Sequence, residues 1–350
     1  MRSSQIHASK PSTGAYRPIH AAGVCFLATL LLASLFCGCG TSTKQIVASE
    51  RLGGSPPKLS PKRAIDSVSK LCKIGPRFSG SAGMTRQQEF LADMFTKLGG
   101  KVQLQSFPAR SPLDGEIIEM KNLIVQYFPE RKNRVLICCH YDTRPFPDRD
   151  PTNPRGVFVG ANDGASGVAL LIEIAHLLND IQTDPSGTIA VGVDLVMFDG
   201  EELVYQEGRD EYFLGSTFFA REYLASPPGY VYQAGVLVDM IGDADLSLYY
   251  EENSIKYAIK VTKELWKIAA ELNLKEFKPK VLHSVRDDHL PLNEIAKIPT
   301  CDIIDLDYND RIKRRLNYWH TTQDTPDKCS GESICKVASV IWIWIQRQKP

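Results

Sequence analysis

Apolar and polar positions switch between helical and strand-like spacing from about residue 63 to the C-terminus. A helix is predicted near Met84–Leu98, where Phe90, Leu91, Met94, Phe95 and Leu98 share one face and Gly99-Gly100 stops it. Strands are predicted near Lys101–Phe107 and Lys121–Phe128, and Arg134–Cys139 reads as a short buried strand. Gly164–Leu178 reads as a helix opened by small residues, followed by a strand at Thr188–Phe198, a helix at Ser216–Leu224 and a strand at Ala234–Asp239. A long helix near Ile255–Leu272, a strand at Thr300–Leu306 and an apolar helix at Ser333–Gln346 complete the pattern. Strands alternating with helices predict an α/β domain with a mostly parallel sheet covered on both faces. No internal repeat and no second-domain boundary interrupts it.

The first residues follow a different rule. Residues 1–20 carry Arg2, Lys10 and Arg17 and no acid, and the apolar run Ala21–Phe36 follows. Sixteen residues are short for a membrane span of about 20 but suffice for a signal-peptide core. The run ends in Cys37-Gly38-Cys39-Gly40, which resembles a bacterial lipoprotein signal with Cys39 as the lipidated mature N-terminus. An ordinary cleaved signal and an uncleaved anchor are the alternatives. Residues 40–62, rich in Ser, Thr, Lys and Pro, read as a tether. The expectation is a leader at 1–39, a tether at 40–62 and a catalytic domain at 63–350, exported and held to a membrane only through its N-terminus.

Composition narrows the class. With 350 residues, 43% hydrophobic, and 41 basic against 41 acidic side chains, the chain is an ordinary globular protein without the basic surplus of a nucleic-acid binder. Six cysteines lie beyond the leader and none forms a Cys-x-x-Cys pair, which argues against a thiolate zinc site. Adjacent Cys138 and Cys139 are expected on opposite faces of a buried strand. Cys329 and Cys335 are near enough in sequence to bridge in an oxidising compartment, and their pairing stays open. So does the oligomeric state, with a monomer as the default.

Chemistry-bearing residues fall at strand ends. His140-Tyr141-Asp142 follows one strand, Asp163 precedes a helix, Phe198-Asp199-Gly200-Glu201-Glu202 closes another strand, Asp239 ends a third, and His320 lies beyond the last. In open α/β sheets ligands bind at the carboxyl ends of the strands. Adjacent glutamates there raise each other's pKa, a cost that a divalent cation offsets. Imidazole with carboxylates suits zinc, and three protein ligands plus an open position is the catalytic form. Taken singly, His140 reads as a structural strand-end histidine, Asp163 as a helix N-cap and the glutamates as a solvated turn. Other polar residues read as structural: His176 within its helix, His289 holding loop geometry, and Asp148-Arg149-Asp150 as a solvated loop, with calcium as the alternative. Trp342 and Trp344 read as core or a partner face.

The stretch from about 65 to 347 resembles the zinc-dependent aminopeptidase superfamily, whose fold is a three-layer sandwich around a mixed, mostly parallel sheet. The resemblance lies in His140-Tyr141-Asp142, Gly160-Ala161-Asn162-Asp163-Gly164-Ala165-Ser166-Gly167, Asp199-Gly200-Glu201-Glu202, Val238-Asp239-Met240-Ile241-Gly242 and His320-Thr321-Thr322-Gln323-Asp324-Thr325. More narrowly it is similar to the animal-type glutaminyl-peptide cyclotransferases that also occur in bacteria. That closer match rests on His140–Pro145, Asp287-Asp288-His289-Leu290-Pro291, Ala296–Asp305 and the tryptophan before His320. The resemblance implies one catalytic zinc held by Asp163, Glu202 and His320, with Glu201 as proton shuttle. It further implies that Asp239 and Asp287 form a hydrogen-bonded carboxyl pair and that Trp319 lines the substrate pocket. The animal enzymes carry a pocket tryptophan a few residues after the second glutamate. This chain has none in Leu203–Asp210, and Tyr205 is the aromatic candidate for that place.

The implied substrates are peptides or proteins with a free N-terminal glutamine, cyclised to pyroglutamate with loss of ammonia. The competing reading is a two-zinc aminopeptidase, with His140 and Asp239 on the second metal, Asp163 bridging and Glu201 activating water. A proton shared between Asp239 and Asp287 would make Asp239 a poorer ligand and favour one zinc. A non-catalytic peptide-binding ectodomain is disfavoured because every ligand and Glu201 are present.

Overall fold

Strand β3 (Asn133–His140) is buried at every position but its first, because it lies in the interior of a six-stranded sheet. The structure is a computed structural model that describes residues 58–184, 189–306 and 317–350. The leader expected over 1–39 and most of the tether expected over 40–62 lie outside the described residues. Before β3 come α1 (Pro61–Lys73), α2 (Ala82–Lys97), β1 (Lys101–Arg110) and β2 (Ile117–Tyr127). After it come α3 (Ala165–Thr183), β4 (Gly192–Phe198), α4 (Leu214–Ala225), β5 (Val231–Asp239), β6 (Leu248–Glu251) and α5 (Glu252–Glu271). The chain continues through β7 (Phe277–His283), a short α6 (His289–Glu294), β8 (Thr300–Ile304) and α7 (Gly331–Arg347).

The sheet order is β1-β2-β4-β3-β5-β8. The last four strands in that order are mutually parallel, whereas β1 pairs antiparallel with β2 and β2 with β4. After β3 the chain steps to β4 on one side and then crosses to β5 on the other, so a crevice opens at the carboxyl ends of these three strands. Along β3, Val135, Ile137 and Cys139 face the large core beneath α1, α3, α5 and α7, while Leu136 and Cys138 face the smaller core beneath α4 and α6. This period of two separates the adjacent cysteines as expected. All six cysteines of the described residues are free. Trp342 and Trp344 are core residues.

Helix α3 is buried on nearly all sides, since it packs between the sheet, α1 and α7. Its buried Glu173 is held by Arg63 of α1 through two 2.6 Å bonds and by the Ser60 backbone N–H at 2.9 Å. The folded part therefore starts earlier than the boundary at 63. Ser60 caps α1, accepting from Arg63 N at 3.2 Å, and Pro61 opens it, a combination suited to the first turn of a helix.

The parallel ribbon β6–β7 also lies outside the predicted elements. Strand β6 has four residues and β7 is largely exposed, so neither carries a hydrophobic alternation. No helix among the described residues is long and apolar enough to cross a membrane.

Arg134 and Asp194 form a fully buried pair between β3 and β4, and Tyr232 donates to the same carboxylate at 2.5 Å. Removing one partner strands a buried charge. Asp194→Ala is expected to lower the unfolding free energy by about 3–5 kcal/mol in chemical denaturation. A loss below about 1 kcal/mol would contradict this account of the sheet.

Candidate active site

The carboxyl ends of β3, β4 and β5 deliver His140, the Glu201-Glu202 turn and Asp239 to one rim, and two long loops add Asp163 and His320. Ligand atoms of Asp163, Glu202 and His320 lie within 4.8 Å of one another. His320 Nε2 is 2.9 Å from Glu202 Oε1 and 3.5 Å from Asp163 Oδ2, and that Asp163 oxygen is buried without a hydrogen bond among the described residues. His320 Nδ1 lies 3.1 Å from Asp148 Oδ1, an orientation that leaves Nε2 for a metal. The donor set of two carboxylates and one imidazole therefore fits zinc.

A second group shares Asp163. His140 Nε2 lies 3.2 Å from Asp163 Oδ1 and 3.1 Å from Asp239 Oδ1, and these three residues also bring ligand atoms within 4.8 Å. Both ligand sets foreseen from sequence are thus assembled. Asp163 is not the cap of α3. Gly164 holds that position at φ 82°, where a Cβ would approach the His140 ring to 2.8 Å.

Backbone amides aim the acids. Asp142 accepts from Glu201 N at 3.2 Å and Glu202 N at 3.0 Å. Arg144 N donates to Glu202 Oε2 at 2.9 Å, and Asp324 accepts from Asn162 N at 2.8 Å and Asp163 N at 3.1 Å. In the Asp148-Arg149-Asp150 loop, Asp148 and Arg149 are exposed, as expected of a solvated loop, but Asp150 is buried and both acids hold neighbouring structure. Asp148 supports His320, while Asp150 accepts from the Thr322 backbone at 2.9 Å and its hydroxyl at 2.5 Å.

Electrostatics follow from burying so many acids together. Burial pushes the Glu201 carboxyl well above its usual range, and Asp287, Glu202 and Asp288 add to that against the pull of His140. Burial also raises Glu202, with Asp163 adding to it against His320 and Arg144. Burial opposes the charge on Asp163, but His140 and His320 outweigh it and hold its pKa low. Burial lowers His320, yet the bonds to Asp148 and Glu202 carry it up to about 9.

The expected hydrogen-bonded pair of Asp239 and Asp287 is not what the structure shows. Asp239 bonds His140, while Asp287 Oδ1 takes the Asp288 N–H at 2.5 Å and its Oδ2 has no hydrogen bond among the described residues. An adjacent imidazole is a better partner for Asp239 than a second acid. The two carboxyls still sense each other, since burial and then the Asp239 charge raise Asp287 to about 7. Behind them His289 is buried between Glu251, 3.3 Å away, and Asp302, 3.7 Å away.

A cavity of about 420 Å³ opens over the cluster, lined by Glu201, Glu202, Asp163, Asp239, Asp287 and His320 and walled by Trp319, Phe213 and Tyr212. Trp319 therefore lies where the sequence placed it, but Tyr205 does not. It sits outside the cavity, edge-on to Phe146 at 5.9 Å and against a satellite core around Phe107 and Leu203. Tyr212 and Phe213 take the aromatic role instead. Their adjacency in a polar loop was the available signal. Phe213, Met240 and His320 all line the cavity with positive φ values of 60°, 49° and 55°, strain of the kind stored at functional sites.

Comparison with known proteins agrees with this geometry. The sequence model of Peptidase family M28 matches residues 122–345. The crystal structure of Fimbriiglobus ruber glutaminyl cyclase superposes with a TM-score of 0.77 at 39% identity, covering 84% of this chain and 97% of that one. The chain belongs to peptidase family M28 and to its glutaminyl cyclase branch. A Bacteroides thetaiotaomicron leucine aminopeptidase precursor gives a TM-score of 0.75 at 30% identity, covering 84% of this M28 chain and 99% of its own. A Drosophila melanogaster glutaminyl-peptide cyclotransferase is 24% identical over 285 residues, 76% of this chain and 74% of the relative.

Because Asp142 orients both glutamates through their backbone, Asp142→Asn is expected to weaken zinc affinity about 10- to 100-fold in chelator competition. Wild-type affinity in the variant would show that the glutamate turn holds itself.

Proposed function

We propose that the chain is a zinc-dependent glutaminyl-peptide cyclotransferase, converting the N-terminal glutamine of peptides to pyroglutamate and ammonia with one zinc per chain. One observation carries the reading. Glu201 lines an aromatic-walled cavity beside the Asp163–Glu202–His320 set, in a chain more identical to a glutaminyl cyclase than to an aminopeptidase precursor.

The substrate brings its own nucleophile, the α-amine, and its own electrophile, the γ-amide. Asp163, Glu202 and His320 would hold the metal, with Asp148 fixing the His320 ring. Bound zinc supplies a Lewis acid for the γ-carbonyl. Glu201 takes the proton released as the α-nitrogen bonds to the amide carbon, then returns it to the departing nitrogen as the carbon–nitrogen bond breaks and ammonia leaves. A raised carboxyl pKa suits this two-way transfer. Trp319, Phe213 and Tyr212 present apolar faces that hold the glutamine folded and exclude water.

The second reading, a two-zinc aminopeptidase, draws on the assembled His140–Asp163–Asp239 group. Wild-type protein is expected to release ammonia from a peptide with N-terminal Gln and no leucine from one with N-terminal Leu, with about one zinc per chain by elemental analysis. Free leucine without ammonia, or two tightly held zincs, would favour the peptidase. Glu201→Gln is expected to lose at least about 100-fold in kcat while keeping its zinc. Retained activity would remove Glu201 from the proton path.

The basic start, apolar run and Cys39 further support export with a lipid at Cys39. Mass spectrometry of the mature protein is expected to find Cys39 as a diacylated N-terminus, and an unmodified Met1 would exclude it.

A further inference from the structure

The cavity over the metal ligands does not end at its aromatic wall. A second, larger groove of about 1270 Å³ runs alongside it toward the β1–β2 hairpin. The two share Gly208, Tyr212, Phe213 and Arg286 as lining residues. An N-terminal glutamine in the inner cavity leaves the rest of its peptide to go outward, and this groove adjoins the cavity across those shared residues. Its surface suits a peptide. Leu113 is 63% exposed, and Phe218 lies stacked on Phe107 at 4.7 Å.

Arg286 stands at the junction. It is exposed and its guanidinium lies 5.9 Å from the Phe213 ring centroid. Among the described residues it has no ion pair. Arg149, the other exposed arginine at the cavity mouth, lies 4.0 Å over Trp319 and faces Glu207 at 3.8 Å, so its charge is partly answered. The inner cavity is acidic and, on the cyclisation reading, receives the substrate's N-terminal amine. The junction offers a cation that an anionic group farther along the peptide can meet.

We propose that Arg286 is a specificity-determining residue that selects peptides with a carboxylate side chain at the second or third position, seated in the groove beyond Phe213. This rests on the cyclisation reading above. An exposed ion pair is worth up to about 1 kcal/mol, so the preference is expected to be about fivefold. It should fade with salt, because the pair is open to solvent.

The test uses amidated tetrapeptides that begin with Gln and carry Glu, Ala or Lys at positions two and three, with ammonia release as the readout. Wild-type protein is expected to show kcat/KM about fivefold higher for Glu than for Lys peptides at low salt. Arg286→Ala should bring the ratio to near one, Arg286→Glu should reverse it, and Arg286→Lys should keep its direction. The ratio cancels any general loss from disturbing neighbouring Asp287. Equal kcat/KM for all three peptides in the wild type would overturn this inference and leave cyclisation standing. So would loss of the ratio in Arg149→Ala but not in Arg286→Ala. No ammonia from any of them would overturn both.

Discussion

The structure is organised by the problem of holding many carboxyl groups in one buried place. Asp163, Glu202, Asp239, Asp287 and Asp288 are buried at the rim of the parallel strands, with Glu201 half-buried among them. His140, His320 and Arg144 supply the protein's own positive charge there. Such a cluster is tolerated only if each acid is aimed and partly neutralised. The fold does this with backbone amides and a further set of acids. Asp142 and Asp324 lie outside the candidate ligand groups, yet they fix the peptide planes from which Glu201, Glu202 and Asp163 project. A dication completes the balance that the donor set is shaped for.

Most of the rim residues were legible in sequence because they obey a topological rule. A residue that closes a parallel strand must lie on the rim, so His140, Glu201, Glu202 and Asp239 were placed as soon as the strands were found. What the supporting acids hold was not legible: Asp142 and Asp324 stand in the motifs, but nothing local shows their partners. Asp324 reaches Asp163 across 161 positions, and Asp150 reaches Thr322 across 172. The pairing of Asp239 was misjudged for a related reason. The sequence shows which groups share a rim, but not which neighbour is nearest, and the His140 imidazole wins over the Asp287 carboxyl. Helix α1 was hidden by composition, since Ser60-Pro61 serves equally as a linker or as a helix start until Glu173 gives it something to hold.

Aromatic placement followed a weaker rule. Trp319 was secure because it adjoins a ligand and must share its surroundings. Tyr205 was drawn toward the pocket by proximity to Glu202, but the turn after the glutamates carries it out to Phe146 and the satellite core. The chain returns to the cavity at Glu207 and Gly208 and brings aromatic rings to it at Tyr212 and Phe213, where Phe213 takes a left-handed backbone conformation at the start of α4.

Cyclisation and aminopeptidase chemistry then differ less in their metal ligands than in what surrounds them. Both need Glu201 as a proton carrier, and both ligand sets are present. Hydrolysis needs a water held between metal and base, whereas cyclisation needs that place filled by the substrate's own amine. A cavity walled by Trp319, Tyr212 and Phe213 suits the second, since those aromatic faces offer a folded glutamine side chain a surface to pack on. On the proposed reading the chemistry is set by which nucleophile the walls admit to Glu201, and those walls are built by loops rather than by the strand ends that supply most of the candidate ligands.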